Sequence, residues 1–165
     1  MTLKKICMLG PTSVGKTSLV ARYVQSLFAD KYLTTVGVKI DKKIIQVGTE
    51  QVTLMLWDLA GDDDFQKLEM SYLRGAAGYL LVADGTRPAS VERAEEIQRR
   101  VQTALGSVPF ILAMNKADLV EQWAVPDQRI ESWCKTGWSV RRTSAKTGAG
   151  VEACFMELAE KLIAS

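Results

Sequence analysis

The chain has 165 residues, of which 47% are hydrophobic and 24% are charged, and its formal net charge is +2. This length and composition fit one globular domain with a single core, and the near-neutral charge with scattered basic residues does not indicate a nucleic-acid-binding protein. Histidine is absent, which excludes mechanisms that need an imidazole base or a histidine-ligated metal.

The sequence favours a reducing, cytoplasmic compartment. No apolar stretch approaches the roughly 18 residues of a membrane span, and the N-terminal apolar run is too short for a signal peptide. Thr2 replaces the glycine of a myristoylation signal, and Leu162 stands where a prenylated cysteine would be. We therefore expect no lipid anchor in this chain, and membrane association only through a partner or a removed tail. The cysteines have no metal-ligand spacing and are expected to be buried thiols, at Cys7, Cys134 and Cys154.

The first elements in chain order are a strand, a loop and a helix. An apolar run over Lys4–Leu9 predicts a buried strand. It leads into the octapeptide GPTSVGKT, which begins at Gly10 and fits the P-loop pattern GxxxxGK[ST]. Apolar residues then recur at helical spacing, at Leu19, Val20, Tyr23, Val24 and Leu27.

A predicted β-hairpin follows. Val38–Val47 and Gln51–Trp57 are rich in β-branched and apolar residues and are separated by a short turn at residues 48–50. The first of these strands carries too many charges to be buried and is predicted at a sheet edge. Those charges are on Lys39, Asp41, Lys42 and Lys43.

The second half alternates strands and helices. Gly78–Ala83 and Val108–Met114 predict central parallel strands, and the stripe between Val91 and Leu105 predicts a helix, with Ser90 as its N-cap. A shorter strand is predicted over Trp138–Thr143. The closing helix is marked by Val151, Phe155, Leu158 and Leu162.

These elements predict an α/β fold with a single six-stranded, mostly parallel sheet, one antiparallel edge strand and helices on both faces. Such sheets bind ligands at the carboxyl ends of their strands, and each chemical motif of this chain lies at such an end.

The P-loop pattern predicts a triphosphate site. Gly10 and Gly15 let the backbone approach phosphates closely. Lys16 would place its charge on the β- and γ-phosphates, and the Thr17 hydroxyl would bind Mg²⁺. The helix that begins here adds unpaired N–H groups and a positive dipole end.

The next motif is the tetrapeptide DLAG, which runs from Asp58 to Gly61. An aspartate at the end of a strand can hold Mg²⁺ through water, and the Gly61 N–H can reach a γ-phosphate. A lone DxxG would more often be a plain turn, so this assignment depends on the neighbouring motifs.

The tetrapeptide NKAD at Asn115 predicts guanine recognition. The Asp118 carboxylate can accept from both the ring N–H and the amino group of guanine, whereas adenine offers an acceptor there. The Lys116 stem can pack along the base, and Asn115 can tie this loop to the P-loop. In the tetrapeptide TSAK that begins at Thr143, the Ala145 N–H could meet the guanine oxygen.

With these motifs in place, the chain resembles the Ras superfamily of small GTPases, and most of all its Rab branch. The segments that carry the resemblance are GPTSVGKTSL, FADKYLTTVGVKI, LWDLAGDDDF, SYLRGAAGYLLVAD, NKADL and TSAKTGAGV. It implies the small G protein version of the P-loop NTPase fold over residues 1–165 as one domain. It also implies a Mg²⁺-dependent GTP/GDP switch with effector, exchange-factor and GTPase-activating partners.

The resemblance extends the predicted site. Phe28 would lie against the base, although packing in the core is equally plausible, and Tyr32 would cover the phosphates. Thr35 would bind Mg²⁺ and sense the γ-phosphate, with Thr34 as a competitor. The nucleotide contacts so predicted are Ser13, Val14, Gly15, Lys16, Thr17, Ser18, Phe28, Tyr32, Thr35, Gly61, Asn115, Lys116, Asp118, Ser144, Ala145 and Lys146. The predicted metal ligands are Thr17, Thr35 and Asp58, and the predicted catalytic residues are Lys16, Thr35, Gly61 and Asp62.

Effector recognition in the Rab branch uses aromatic residues near the switch segments. Trp57 and Tyr72 match two such positions, and Ile40 replaces the aromatic residue at a third. Ordinary packing of these side chains against the sheet is an equally good interpretation.

The chief departure from the superfamily is Asp62, where a glutamine commonly orients the attacking water. An aspartate is shorter, donates no amide hydrogen bond and adds negative charge beside the phosphates, so slow hydrolysis is expected. The neighbouring Asp63 and Asp64 can be interpreted as acidic residues at the N-terminus of a helix, which Phe65, Leu68 and Tyr72 predict. A guanine-nucleotide-binding scaffold that does not hydrolyse GTP is the alternative function.

Overall fold

The computed structural model describes residues 2–25, 38–59 and 70–164. They contain a six-stranded sheet in the order β2-β3-β1-β4-β5-β6. Its strands are β1 (Thr2–Leu9), β2 (Val38–Val47), β3 (Glu50–Leu59), β4 (Gly78–Asp84), β5 (Phe110–Asn115) and β6 (Ser139–Arg142). β2 runs antiparallel to β3, and all other neighbouring pairs are parallel. The predicted fold class is confirmed.

Helices pack on both faces of the sheet. The described α-helices are α1 (Lys16–Gln25), α2 (Pro88–Leu105), α3 (Asp127–Lys135) and α4 (Val151–Ala164), and short 3-10 turns occupy Met70–Leu73 and Val120–Gln122. Side chains alternate between the two faces of a strand, so Ile6 of β1 joins the core beneath α1 and α4, whereas its neighbour Cys7 joins the core beneath α2 and α3.

None of the described helices combines the length and the apolar character that a membrane crossing requires.

The charged strand β2 lies at the sheet edge, as predicted. Ile40 and Ile44 are each 47% exposed on one of its faces. On the other face, the Lys43 ammonium donates to the Tyr23 carbonyl at 2.7 Å and lies over the Tyr23 ring. Lysine side chains on an edge strand oppose pairing with a second sheet.

The predicted N-cap of α2 is wrong. The helix begins at Pro88 with Arg87 at the N-cap position, because the proline ring fixes φ in the helical range and suits the first helical position. Ser90 lies within the first turn, where its hydroxyl donates to the Arg87 carbonyl at 2.7 Å and accepts from the Asp84 N–H at 3.0 Å.

One cysteine prediction is also wrong. Cys7 and Cys154 are buried, and burial raises the pKa of their thiols to about 11 and about 12. Cys134 is exposed, because it lies in α3, a helix that buries only Trp133. The side chain that follows Trp133 on such a helix turns towards solvent.

Candidate functional site

The described motifs meet at the carboxyl edge of the sheet. The P-loop follows β1, Asp58 is the next-to-last residue of β3, and Asn115 ends β5. Residues 143–146 follow β6. This edge is where open α/β sheets bind their ligands.

Two glycines allow the P-loop to lie close to its neighbours. Gly10 has a φ of +149°, and a Cβ there would be 2.3 Å from the Val82 carbonyl oxygen. Gly15 has a φ of +103°, and its Cβ would be 2.3 Å from the side-chain nitrogen of Asn115. A larger residue at Gly10 would push the loop away from β4, and one at Gly15 would push it away from the guanine motif, the NKAD tetrapeptide that begins at Asn115.

Lys16 is folded into the P-loop. Its ammonium donates to the carbonyls of Gly10 and Pro11 at 2.9 and 2.8 Å, and the residue is only 6% exposed. The Lys16 ammonium is thus held beside the P-loop backbone, in a position from which it can contact phosphate oxygens.

Thr17 and Asp58 place two oxygen ligands side by side. The Thr17 hydroxyl donates to the Asp58 carboxylate at 2.6 Å, and Asp58 is fully buried. Hydroxyl and carboxylate oxygens are hard ligands of the kind that Mg²⁺ takes together with substrate phosphates. This pair therefore fits a magnesium ion shared with a bound nucleotide.

Asn115 joins three segments of the site. Its amide nitrogen donates to the Val14 carbonyl of the P-loop at 2.9 Å. Its amide oxygen accepts from the Thr143 hydroxyl at 3.2 Å and from the Ala145 N–H at 3.3 Å. Asn115 is 2% exposed, so these bonds are shielded from water and hold the P-loop, the guanine motif and the segment after β6 together.

Asp118 and Lys116 are held by different neighbours. The Ser144 hydroxyl donates to the Asp118 carboxylate at 2.7 Å and fixes its orientation. Lys116 has a φ of +69°, and its ammonium contacts the Ser13 carbonyl at 3.2 Å. Burial lowers the pKa of Lys116, and the charge of Asp118 opposes that shift.

The segment after β6 is braced by a residue that the motifs do not identify. The Arg22 guanidinium of α1 donates to the Ala145 carbonyl at 2.8 Å and to the carbonyl of Lys146. Ala145 is buried, whereas the Lys146 side chain is exposed. No sequence signal marks Arg22, because its partners lie more than a hundred positions away.

Asp84 is a second residue that the motif analysis missed. It ends β4, it is 1% exposed, and its carboxylate lies 2.9 Å from the Lys116 ammonium. A signal was available, since a carboxylate at the end of an apolar strand is the same pattern that identifies Asp58.

Of the other predicted residues, Ser18 is buried in α1, and eight lie outside the described part of the chain. They are Phe28, Tyr32, Thr34, Thr35, Gly61, Asp62, Asp63 and Asp64.

The three residues at the predicted effector positions share one surface patch. Ile40 is the antiparallel partner of Trp57, and the Trp57 and Tyr72 rings are 6.4 Å apart. Ile40 is 47% and Tyr72 36% exposed. The Lys5 ammonium lies 3.8 Å from the centre of the Trp57 ring, so the patch is apolar with a positive border.

Comparison with known proteins gives one consistent result. The model of the family described as "Ras family" matches residues 5–164. "Ras-related protein Rab-21" of Dictyostelium discoideum is 34% identical over 96% of this chain and 76% of its own length. "Ras-related protein Rab-7a" of Paramecium octaurelia is 33% identical over 96% and 80%, and "Ras-related protein Rab7" of Drosophila melanogaster is 34% identical over 98% and 81%.

Proposed function

Because the chain belongs to the Ras family of small GTPases, we propose that it is a guanine-nucleotide switch that binds Mg·GTP and Mg·GDP and hydrolyses GTP slowly. The single observation that carries this proposal is the Asn115 side chain, which bonds to the P-loop and to the segment after β6 at once. A phosphate site and a guanine site are thereby held as one pocket within residues 1–165, which we treat as one GTPase domain.

The phosphate end of the proposed pocket uses three side chains, two at the start of α1 and one near the end of β3. Lys16 is buried in the loop and would exchange its carbonyl partners for phosphate oxygens. Thr17 and Asp58 would hold Mg²⁺, directly and through water, and Mg²⁺ neutralises charge on the phosphate oxygens. Thr35 and Gly61 would respond to the γ-phosphate and give the switch its two states.

The base end depends on Asp118. Ser144 fixes one oxygen of its carboxylate, so the acceptor pair for guanine is already oriented before binding, which reduces the cost of ordering it. Lys116 would pack along the base, and the Ala145 N–H, whose present bond to Asn115 is long at 3.3 Å, would donate to the guanine oxygen.

Effectors, exchange factors and activating proteins are the proposed partners. We place effector binding at the Ile40, Trp57 and Tyr72 patch because large apolar side chains half-exposed on one surface favour protein contacts. Trp57 of this patch precedes Asp58 in β3, so a nucleotide-dependent rearrangement near Gly61 would reach the patch.

Phosphate release from preloaded GTP in a single turnover tests the switch against the non-hydrolysing scaffold. A switch predicts slow but complete release that stops when Mg²⁺ is chelated. A chain that retains labelled GTP intact over many hours, alone and with cell extract, would instead be a scaffold. Lys16→Ala serves as the control that lacks the phosphate contact.

A further inference from the structure

The buried carboxylate of Asp84, at the end of β4, pairs with two positively charged side chains that both contact the P-loop. One oxygen of Asp84 lies 2.9 Å from the Lys116 ammonium and 3.1 Å from Nε of Arg87. Lys116 also reaches the carbonyl of Ser13 at 3.2 Å, and Arg87 reaches the carbonyl of Thr12 at 3.1 Å. Adjacent carbonyls on the outer turn of the P-loop are therefore tied to one aspartate.

The aspartate is itself fixed. Its other oxygen accepts from the N–H and the hydroxyl of Thr86 at 2.8 and 2.6 Å. Its own N–H donates to the Ser90 hydroxyl at 3.0 Å, and the next residue, Gly85, donates to the Asn115 carbonyl at 3.0 Å. A Cβ on Gly85 would be 2.1 Å from the Trp123 ring, so this turn packs closely against that ring.

We propose that Asp84 and Arg87 are positioning residues of the nucleotide site, which hold the outer turn of the P-loop in its phosphate-binding conformation. This inference rests on the proposed function. In a loop that binds anions, successive N–H groups point to the anion while the carbonyls point away from it. The Arg87 and Lys116 side chains bond to the Thr12 and Ser13 carbonyls and keep them turned outward. The N–H groups of the loop thereby stay turned towards the phosphates.

The side chain at position 87 is suited to this role. A guanidinium is a rigid fork of donors, and Arg87 uses different nitrogens for Asp84 and for the Thr12 carbonyl. A lysine has one ammonium and a flexible stem, so it holds such a pair of acceptors less well. Arg87 is 48% exposed, so its replacement does not disturb the core.

The test is the rate at which labelled GDP leaves preloaded protein after excess unlabelled GDP is added. We expect Arg87→Gln to release N-methylanthraniloyl-GDP about tenfold faster than wild type, the effect of losing charge-assisted hydrogen bonds. Arg87→Lys should give a smaller acceleration because one of the contacts is kept. The matched control is Arg93→Gln in α2, the helix that Arg87 precedes. Arg93 pairs with Glu96 at 4.0 Å, and the release rate of this variant should stay within about twofold of wild type.

A double-mutant cycle tests whether Arg87 acts through Asp84. In an Asp84→Asn background, Arg87→Gln should accelerate release by less than about twofold, because residues in one network are not additive. Arg87→Gln release at the rate of the Arg93→Gln control would overturn the proposal, as would effects of Asp84→Asn and Arg87→Gln that multiply fully. If Asp84→Asn fails to fold, the Arg87 series alone decides.

The proposed function and this inference fail in different ways. Wild-type protein that binds no N-methylanthraniloyl-GDP would refute guanine-nucleotide binding itself. Wild-type protein that binds it tightly, with Arg87 variants indistinguishable from the control, would refute only the positioning role.

Discussion

At the residue scale, the site is built from side chains that bond to backbone. Lys16, Asn115 and Lys116 each contact a P-loop carbonyl. Such contacts fix where a loop lies, and they explain why the identities of a few side chains decide whether phosphates and a base can be bound together.

We expect Lys16→Ala to weaken Mg·GTP binding roughly a hundredfold, or about 2.8 kcal/mol, because the charge proposed to meet the β- and γ-phosphates is lost. Thr17→Asn should act in the same direction through Mg²⁺. Fluorescence titration gives the affinity, and urea unfolding followed by circular dichroism gives the stability. The exposed Lys42→Ala is the control, and an unchanged affinity with normal Mg²⁺ dependence in the Lys16 and Thr17 variants would contradict the assignment.

A further prediction at this scale concerns the effect of Asp62 on GTP hydrolysis. Asp62→Gln should raise the intrinsic rate of hydrolysis, because it would remove a negative charge that the family resemblance places beside the phosphates and would supply an amide to orient the attacking water. Single-turnover phosphate release from wild type and variant measures this. A rate that falls in the variant would mean that Asp62 itself works as a base or water ligand.

At the element scale, strands were easier to predict than helices. The central strands β4 and β5 are unbroken apolar runs, and their predicted positions agree with the structure to within two residues. Helix α3 was not predicted, because Trp133 is its one buried residue and no apolar stripe marks it. The start of α2 was misplaced because Ser90 was predicted as the N-cap, whereas the helix begins at Pro88 with Arg87 at the N-cap position.

The parts of the site that could be predicted are short motifs of reactive or polar residues that follow predicted strands. The P-loop and the guanine motif were found because local spacing carries their chemistry. Arg22 and Arg87 were not, because their partners come together only in the folded sheet, as in the bond between Arg87 and Thr12 across 75 positions. Asp84 did carry the strand-end signal, but no known motif includes it and it was not assigned.

Gly78 tests how β4 packs. A Cβ there would be 2.6 Å from the Pro109 carbonyl oxygen and 2.7 Å from the Leu162 side chain, so Gly78→Ala should cost about 3 kcal/mol through overpacking and lower Tm by roughly 6–12 °C. Gly106→Ala is the control. Gly106 has a φ of +77° and a Cβ there would have no neighbour within 4 Å, so the substitution should cost only about 1 kcal/mol in backbone strain. Equal losses of Tm in the two variants would contradict this account of β4, and differential scanning calorimetry measures both.

At the scale of the whole molecule, the nucleotide is expected to act as part of the fold. It would touch loops after β1, β3, β5 and β6, so binding would stabilise the folded chain by mass action, by about 4 kcal/mol when its concentration is a thousand times Kd. Tm should therefore rise by roughly 8–16 °C with Mg·GDP and stay unchanged with Mg·ADP. An equal rise in Tm with both nucleotides would show that the protein does not distinguish guanine from adenine.

The central claim is that this pocket selects guanine through Asp118, and exchanging the base tests it most directly. In Asp118→Asn the side chain keeps an oxygen for the Ser144 hydroxyl but gains an amide donor, which suits the 2-oxo group of xanthine in place of the guanine amine. Competition of GTP and XTP for labelled nucleotide should show strong GTP preference in wild type and a preference turned towards XTP in the variant. A variant that still ranks GTP far above XTP would contradict the account.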